Sequence, residues 1–408
     1  MSDTFCALPW SHLHVGVNSQ VHLCCVSRPI GSVKRNSLEE IWNGETMKRI
    51  RIELLSNKKP KECHACFYQE DELNSNSMRK GMTNEFSQYI DPIKDTAPDG
   101  TLADMKLFYI DFRFSNLCNF KCRICSPVYS SSLGAELASN TSSKSMTLIK
   151  EVGPRLYTEI KNQYTNVKKI YFAGGEPIMQ KEQFQVLQDL INLGRASEVA
   201  LVYNTNGSKF KNTMGNMFDY WEKFKQVDII FSIDSYGKPA EYWRSGTNWE
   251  EVESNIRLAN SHTANINPYI HSVVGWPNIF NWIEFIKYAL DTKMIDNLFN
   301  AIDVTILDNP ICYALGVVPK FKKDIIYNEL LNLKEFILNH NTYNINKGTK
   351  LLDGVDMLMQ SLHAEPRMGH NKLDKEEFRL RNTVLDEWRG EDFFSIFPEH
   401  EDMRPYIT

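Results

Sequence analysis

The sequence predicts an α/β chain: a partial (β/α)6 barrel of the TIM type, preceded by a small cysteine-rich module and followed by a helical extension. Three observations predict it. Six short apolar runs alternate with amphipathic stretches between residues 106 and 312, eight of the nine cysteines fall in the first third, and apolar residues beyond 313 recur at helical spacing. At 408 residues the chain exceeds one compact core, and it divides by texture into segments 1–75, 76–105, 106–312 and 313–408. A hydrophobic content of 42% is that of a globular enzyme, and a net charge of −5 offers no general attraction to nucleic acid or to an anionic membrane. The basic stretch "NKKPK" reads as a solvated loop. There is no apolar span of about eighteen residues and no signal-peptide order in "MSDTFCALPW", so the cytoplasm is the expected location and no membrane partner is expected.

Taken in order, residues 1–75 carry five cysteines around a helical centre. Ser37 and Glu40 form a capping-box signature, followed by Met47, Ile50 and Leu54 at helical spacing. Residues 76–105 are polar and read as a linker, with "TAPDGT" as a loop signal. The predicted strands are "LFYIDFRF" (107–114), "KKIYFAGGEP" (168–177), "VALVYNTNGS" (199–208), "VDIIFSIDS" (227–235), "PYIHSVVG" (268–275) and "AIDVTIL" (301–307). Parallel α/β folds gather chemistry at the carboxyl ends of their strands, where this chain places polar or glycine-rich loops. After residue 313, Ile326, Leu330, Leu333 and Ile337 form one apolar stripe, and Leu352, Val355, Met359 and Leu362 a second; both read as core.

The first strand leads into "SNLCNFKCRICSP" (115–127), which spaces Cys118, Cys122 and Cys125 by three and then two residues. In a large chain without an export signal, such clustering favours metal ligation over disulfides. Iron–sulfur cubanes normally take four thiolates, so three leave one iron open, and an open position is how a metal site admits substrate. Three unrelated free cysteines are the bland alternative.

"CNFKCRIC" is similar to the C-x3-C-x2-C signature of radical S-adenosylmethionine (SAM) enzymes, and the resemblance covers about residues 105–310. It implies a [4Fe–4S] cluster on Cys118, Cys122 and Cys125, whose open iron takes the amino and carboxylate groups of SAM. Reductive cleavage would then give a 5′-deoxyadenosyl radical that abstracts hydrogen from substrate, with flavodoxin or ferredoxin as the kind of electron donor. It further implies that Ile124 packs near the adenine and that Gly174, Gly175, Glu176 and Pro177 of "AGGEP" meet the methionyl moiety. Asn206, Ser232 and Asp234 would contact the ribose, and Arg257 the SAM carboxylate; a solvated helix arginine is the alternative for the last.

The other cysteines supply a second set. Cys6, Cys24, Cys63 and Cys66 make four ligands, the last two as a C-x2-C pair. With "SLEEIW" before that pair, the segment resembles the auxiliary-cluster modules called SPASM and twitch domains, which implies a second [4Fe–4S] cluster; one cluster's worth of ligands favours the twitch form. Such modules usually follow the barrel, whereas this one precedes it. Zinc suits four thiolates equally. Cys24 is chosen over adjacent Cys25 because "VHLC" resembles the ligand-presenting segment, and the nearby His12, His14, His22 and His64 read as packing or surface.

Alternation along 107–114 sets Tyr109, Asp111 and Arg113 opposite Phe108, Ile110, Phe112 and Phe114. Asp111 and Arg113 are thus expected to meet substrate or SAM, or else each other as a buried ion pair. Cys312 is either a hydrogen-atom donor or an ordinary buried thiol. The substrate reads as a peptide or small molecule. Two alternatives to a radical enzyme remain: a zinc-bearing binding module on an inactive barrel, and an iron–sulfur electron-transfer protein.

Overall fold

The computed structural model describes residues 2–72, 76–141, 154–341, 343, 349–363 and 374–407. By packing they fall into two units, each drawn from several stretches: residues 1–117, 148–203 and 213–227 in the first, and 118–147, 204–212 and 228–408 in the second.

The first unit contains β1 (His12–Val15), β2 (Gln20–His22), β3 (Pro29–Ser32), β4 (Tyr109–Phe112), β5 (Lys169–Phe172) and the start of β6 (Ala200–Thr205), in the order β6-β5-β4-β1-β2-β3. Strands β4, β5 and β6 are parallel neighbours. On the other side of β4 lies β1, also parallel, with His12 opposite Tyr109 and His14 opposite Asp111; β2 and β3 then return antiparallel. The cysteine-rich segment therefore extends the sheet rather than standing apart from it. Its strand "HLHV" escapes sequence reading because all four residues are buried, which erases the apolar–polar alternation of a half-exposed strand.

The second unit contains most of β7 (Gln226–Ser232), then β8 (Ile266–Val274) and β9 (Ile302–Ile306), side by side in that order, with β8 and β9 parallel. All six predicted runs are strands, and the architecture is α/β with parallel pairing, as expected.

Local signals explain several helices. Ser37 accepts the Glu40 amide at 3.1 Å while the Glu40 carboxylate accepts the Ser37 amide at 2.8 Å, the reciprocal capping box. Met47, Ile50 and Leu54 are buried in the helix Glu45–Leu55. Two expectations change. The stretch read as linker holds the helix Met78–Phe86, capped by Ser77, with Arg79 and Phe86 buried. In the helix Lys350–Ser361 the buried residues are Leu351, Gly354, Val355 and Leu358, with Leu362 as its cap, whereas Leu352 and Met359 are only half-buried. The stripe is shifted by one residue at two of its four positions, because Gly354 lets the helix approach Val304 of β9 closely. The stripe Ile326, Leu330, Leu333 and Ile337 is buried as read.

Candidate cluster and cofactor site

In the second unit the cysteine loop leaves its first thiol at the amino end of the helix Ser131–Asn140. The Cys118 amide donates to Ser131 Oγ at 3.2 Å, Ser132 Oγ donates to the Cys118 carbonyl at 2.6 Å, and Ser130 Oγ donates to the Phe120 carbonyl at 2.6 Å. The main chain at Cys122 pairs antiparallel with Arg244, and the Cys125 amide donates to the Cys122 carbonyl at 3.1 Å. Every turn of the loop is thereby pinned by backbone or serine contacts.

Three of the predicted SAM contacts come together beside this loop. Asn206 Nδ2 donates to Asn119 Oδ1 at 2.9 Å, and Asn119 Nδ2 to Ser208 Oγ at 3.0 Å, tying the end of β6 to the residue after Cys118. Asn206, Ser232 and Asp234 line one pocket together with Phe120, Arg244 and Trp249. Asp234 is buried; it accepts from Arg244 Nε at 2.7 Å and from the Val273 amide at 2.8 Å. Ile124 is half-buried in the same unit.

Arg257 is placed otherwise. Its guanidinium donates to Glu253 at 2.6 and 2.9 Å and to Thr292 at 3.0 Å, the i, i+4 geometry of a surface helix pair. The arginine that lines the cavity is Arg244. It lies thirteen positions before Arg257, and no periodicity in the sequence separates the two arginines. Cys312 is fully buried, its amide donating to Glu377 at 3.2 Å and its carbonyl accepting from Trp276 Nε1 at 2.7 Å; burial pushes the thiol pKa up.

The glycine motif belongs to the first unit. Gly174 and Gly175 have φ of +82° and +54°. A Cβ at Gly174 would stand 2.7 Å from the Arg113 Cβ, and one at Gly175 would stand 2.3 Å from the Leu117 carbonyl oxygen. These glycines are thus demanded by the chain itself: the Glu176 amide donates to Leu117 O at 2.7 Å, clasping the residue before Cys118. Glu176 is buried and caps the turn Pro177–Met179 through the Ile178 amide at 3.2 Å. Arg113 and Asp111 form the ion pair at 3.4 Å, and His14 Nδ1 lies 2.7 Å from Asp111. Burial alone would raise the Asp111 pKa, but the His14 hydrogen bond and the Arg113 charge hold it below the usual carboxylate range.

Also in the first unit, Cys6, Cys24, Cys63 and Cys66 line a single pocket together with Leu8 and Leu23. Cys25 is exposed, its sulfur 3.7 Å from Met78 Sδ and outside that lining. Arg79 lines the same cavity, donates to the carbonyls of Asp3 at 3.0 Å and Phe5 at 2.6 Å, and pairs with Glu70. It sits in the stretch read as linker, so sequence reasoning missed it. Burial pushes Cys6 and Cys63 to about 12 and raises Cys24 and Cys66; in the second unit it likewise pushes Cys122 to about 12 and raises Cys125. Metal loading at either set must therefore expel protons. Among the described residues, no three His, Cys, Asp or Glu side chains close on a point suited to a single ion. The four amino-terminal thiols line one pocket instead, and such a donor set fits a polynuclear cluster.

Two such thiol sets in an α/β chain are a donor set that suits iron–sulfur clusters. Comparison with known families agrees: residues 112–289 match the radical SAM superfamily and residues 6–67 match SPASM, the iron–sulfur cluster-binding domain. The chain thus carries a radical SAM domain over residues 112–289 and a SPASM domain at its amino end. Its cofactors follow from the two domains: a [4Fe–4S] cluster with SAM, and an auxiliary iron–sulfur cluster. Among solved structures, the chain is similar to histidine-tagged anSMEcpe with bound AdoMet (18% identity, TM-score 0.38), covering 55% of this chain and 56% of that one. It is also similar to Streptococcus suis SuiB bound to precursor peptide SuiA (12% identity, TM-score 0.36), covering 72% and 63% respectively. The match thus spans little more than half of the first of these proteins. No curated protein matched the chain. No helix among the described residues is long and apolar enough to cross a membrane.

Proposed function

We propose that the protein is an enzyme that cleaves SAM reductively and uses the resulting 5′-deoxyadenosyl radical to take hydrogen from a peptide or small-molecule substrate. The observation that carries this reading is the joining of the three-cysteine loop, through Asn119 and Asn206, to the cavity of Ser232, Asp234 and Arg244. Cys118, Cys122 and Cys125 would hold the radical-generating cluster, and Cys6, Cys24, Cys63 and Cys66 the auxiliary one. When bound, the cluster and SAM supply the electron and the radical.

The chain's own residues bind and orient. Asn206 is already held by Asn119 and Ser208, so it offers a fixed polar edge to the ribose, with Ser232 beside it in the cavity wall. Phe120 and Trp249 provide apolar surface that excludes water from the same cavity. Asp234 keeps Arg244 in place, which leaves Arg244 as the cation facing an anionic group of the cofactor. Arg113, paired with Asp111, is the corresponding cation of the first unit and a candidate for a substrate carboxylate. An electron donor of the flavodoxin or ferredoxin kind and a cytoplasmic setting complete the proposal.

Anaerobic reconstitution tests it. The expected result is about eight irons per chain, four for each cubane, and 5′-deoxyadenosine formed from SAM on reduction. Zinc without cleavage would favour a binding module, and a redox couple indifferent to SAM an electron carrier; either result rejects the enzyme.

A further inference from the structure

The two residues that flank Cys122 are both gripped by one carboxy-terminal segment. Arg123 is buried, with Nη2 donating to Asp386 at 2.6 Å and also to Glu391. Its Nε donates to the Tyr242 carbonyl at 3.3 Å, and Nη1 to the carbonyls of Asn382 at 3.3 Å and Arg381 at 3.4 Å. The guanidinium also lies 3.7 Å from the centre of the Tyr242 ring. On the other flank, Arg389 Nη2 donates to the Lys121 carbonyl at 3.0 Å and to Glu136 at 2.6 Å. Asp386 accepts in addition from Tyr242 Oη and from the Phe393 amide, both at 2.9 Å, so its carboxylate cannot turn away.

A buried guanidinium is an expensive way to fill space; an apolar side chain would pack there without desolvating a charge. What arginine adds is a rigid fork of donors that accepts only one arrangement of partners. Here, apart from the carbonyl and ring of Tyr242, the partners come from residues 381–391, more than 250 positions along the chain from Arg123. With that segment docked, the loop is locked on both sides of its middle thiol. Undocked, Arg123 would lose both of its carboxylate partners, and Lys121 its contact with Arg389, so neither flank of Cys122 would keep its side-chain anchor.

We propose that residues 381–391 act as a clamp that fixes Cys122, and with it the geometry of the radical-generating cluster, and that Asp386 is the chief positioning residue. The clamp rests on the reading that Cys118, Cys122 and Cys125 hold that cluster. It gives the carboxy-terminal extension a role in cofactor assembly, so that the cluster site is complete only when the end of the chain is in place.

The test uses full-length protein reconstituted anaerobically as wild type, Asp386→Asn and Glu391→Gln, with the auxiliary cluster of the same chain as internal control. Iron, the paramagnetic signal of the reduced clusters and its response to SAM are measured. Asp386→Asn should lower iron from about eight towards about four per chain and weaken the SAM-responsive signal on the order of tenfold or more, leaving the auxiliary signal intact. Glu391→Gln lies at a more exposed edge; it should shift the g-values or midpoint potential of the SAM-responsive cluster without changing the melting temperature. Wild-type behaviour of that cluster in both variants overturns the clamp, as does loss of both clusters in equal proportion in Asp386→Asn with Glu391→Gln unchanged. A wild-type protein with no SAM-responsive signal removes the underlying reading and the clamp with it, whereas a wild-type signal that both variants share removes the clamp alone.

Discussion

A methyl group on Gly175 would stand 2.3 Å from the carbonyl oxygen of Leu117, the residue immediately before Cys118. Position 175 also has φ of +54°, which an L side chain rarely adopts. Gly175→Ala should therefore destabilise the protein by about 1–3 kcal/mol from backbone strain alone, with the clash added. Chemical denaturation would show it, and an unchanged midpoint would mean that the turn is looser than its geometry.

The pocket lined by Cys6, Cys24, Cys63 and Cys66 separates two adjacent cysteines. Cys24→Ser should lose one cluster, dropping from about eight irons to about four, whereas Cys25→Ser should keep both. Iron content and the paramagnetic spectrum of anaerobic protein decide the matter; equal losses from the two variants would reject the assignment.

Asp234 is the counterion that keeps Arg244 at the cavity wall. Asp234→Asn should cost about 3 kcal/mol, the low end for a broken buried pair, because the Arg244 side chain retains 14% exposure. SAM affinity measured by calorimetry should fall in the same variant. Retention of both stability and affinity would dissociate this pair from the site.

His400 supplies the pH dependence. It is fully buried, with Nε2 at 3.1 Å from the Pro277 carbonyl, and burial lowers its pKa to about 3. Between that value and its unfolded pKa of about 6.5, the unfolded chain binds a proton that the native one does not. Stability from this group is thus intact above about pH 6.5 and declines as the pH falls, by at most about 1.4 kcal/mol per unit. His400→Gln should flatten the acid side of a melting-temperature profile, and a slope identical to wild type would contradict it.

The strands and the chemistry were legible in different ways. The six runs could be read because each is a block of apolar residues ending in a polar or glycine-rich loop. The cysteine loop could be read because three cysteines fall within eight consecutive positions. Strand β1 could not, since burial of His12 and His14 on paired edges removes the alternation that marks a strand. Arg79 and Arg244 were missed for a common reason: a cation's role is set by the anion or cavity it meets, and the sequence shows neither. Arg257 illustrates the converse, a plausible ligand already engaged by Glu253 on its own helix.

By itself the sequence determined the cysteine spacing, the parallel α/β pattern and the two thiol sets, because these are properties of neighbours along the chain. Only the tertiary structure decided that Arg79 lines the amino-terminal pocket, that Arg244 and not Arg257 lines the cavity beside the cysteine loop, and that a distant carboxy-terminal segment grips both flanks of Cys122. Each of these depends on contacts between residues distant in sequence, and no local pattern of side chains encodes such a contact.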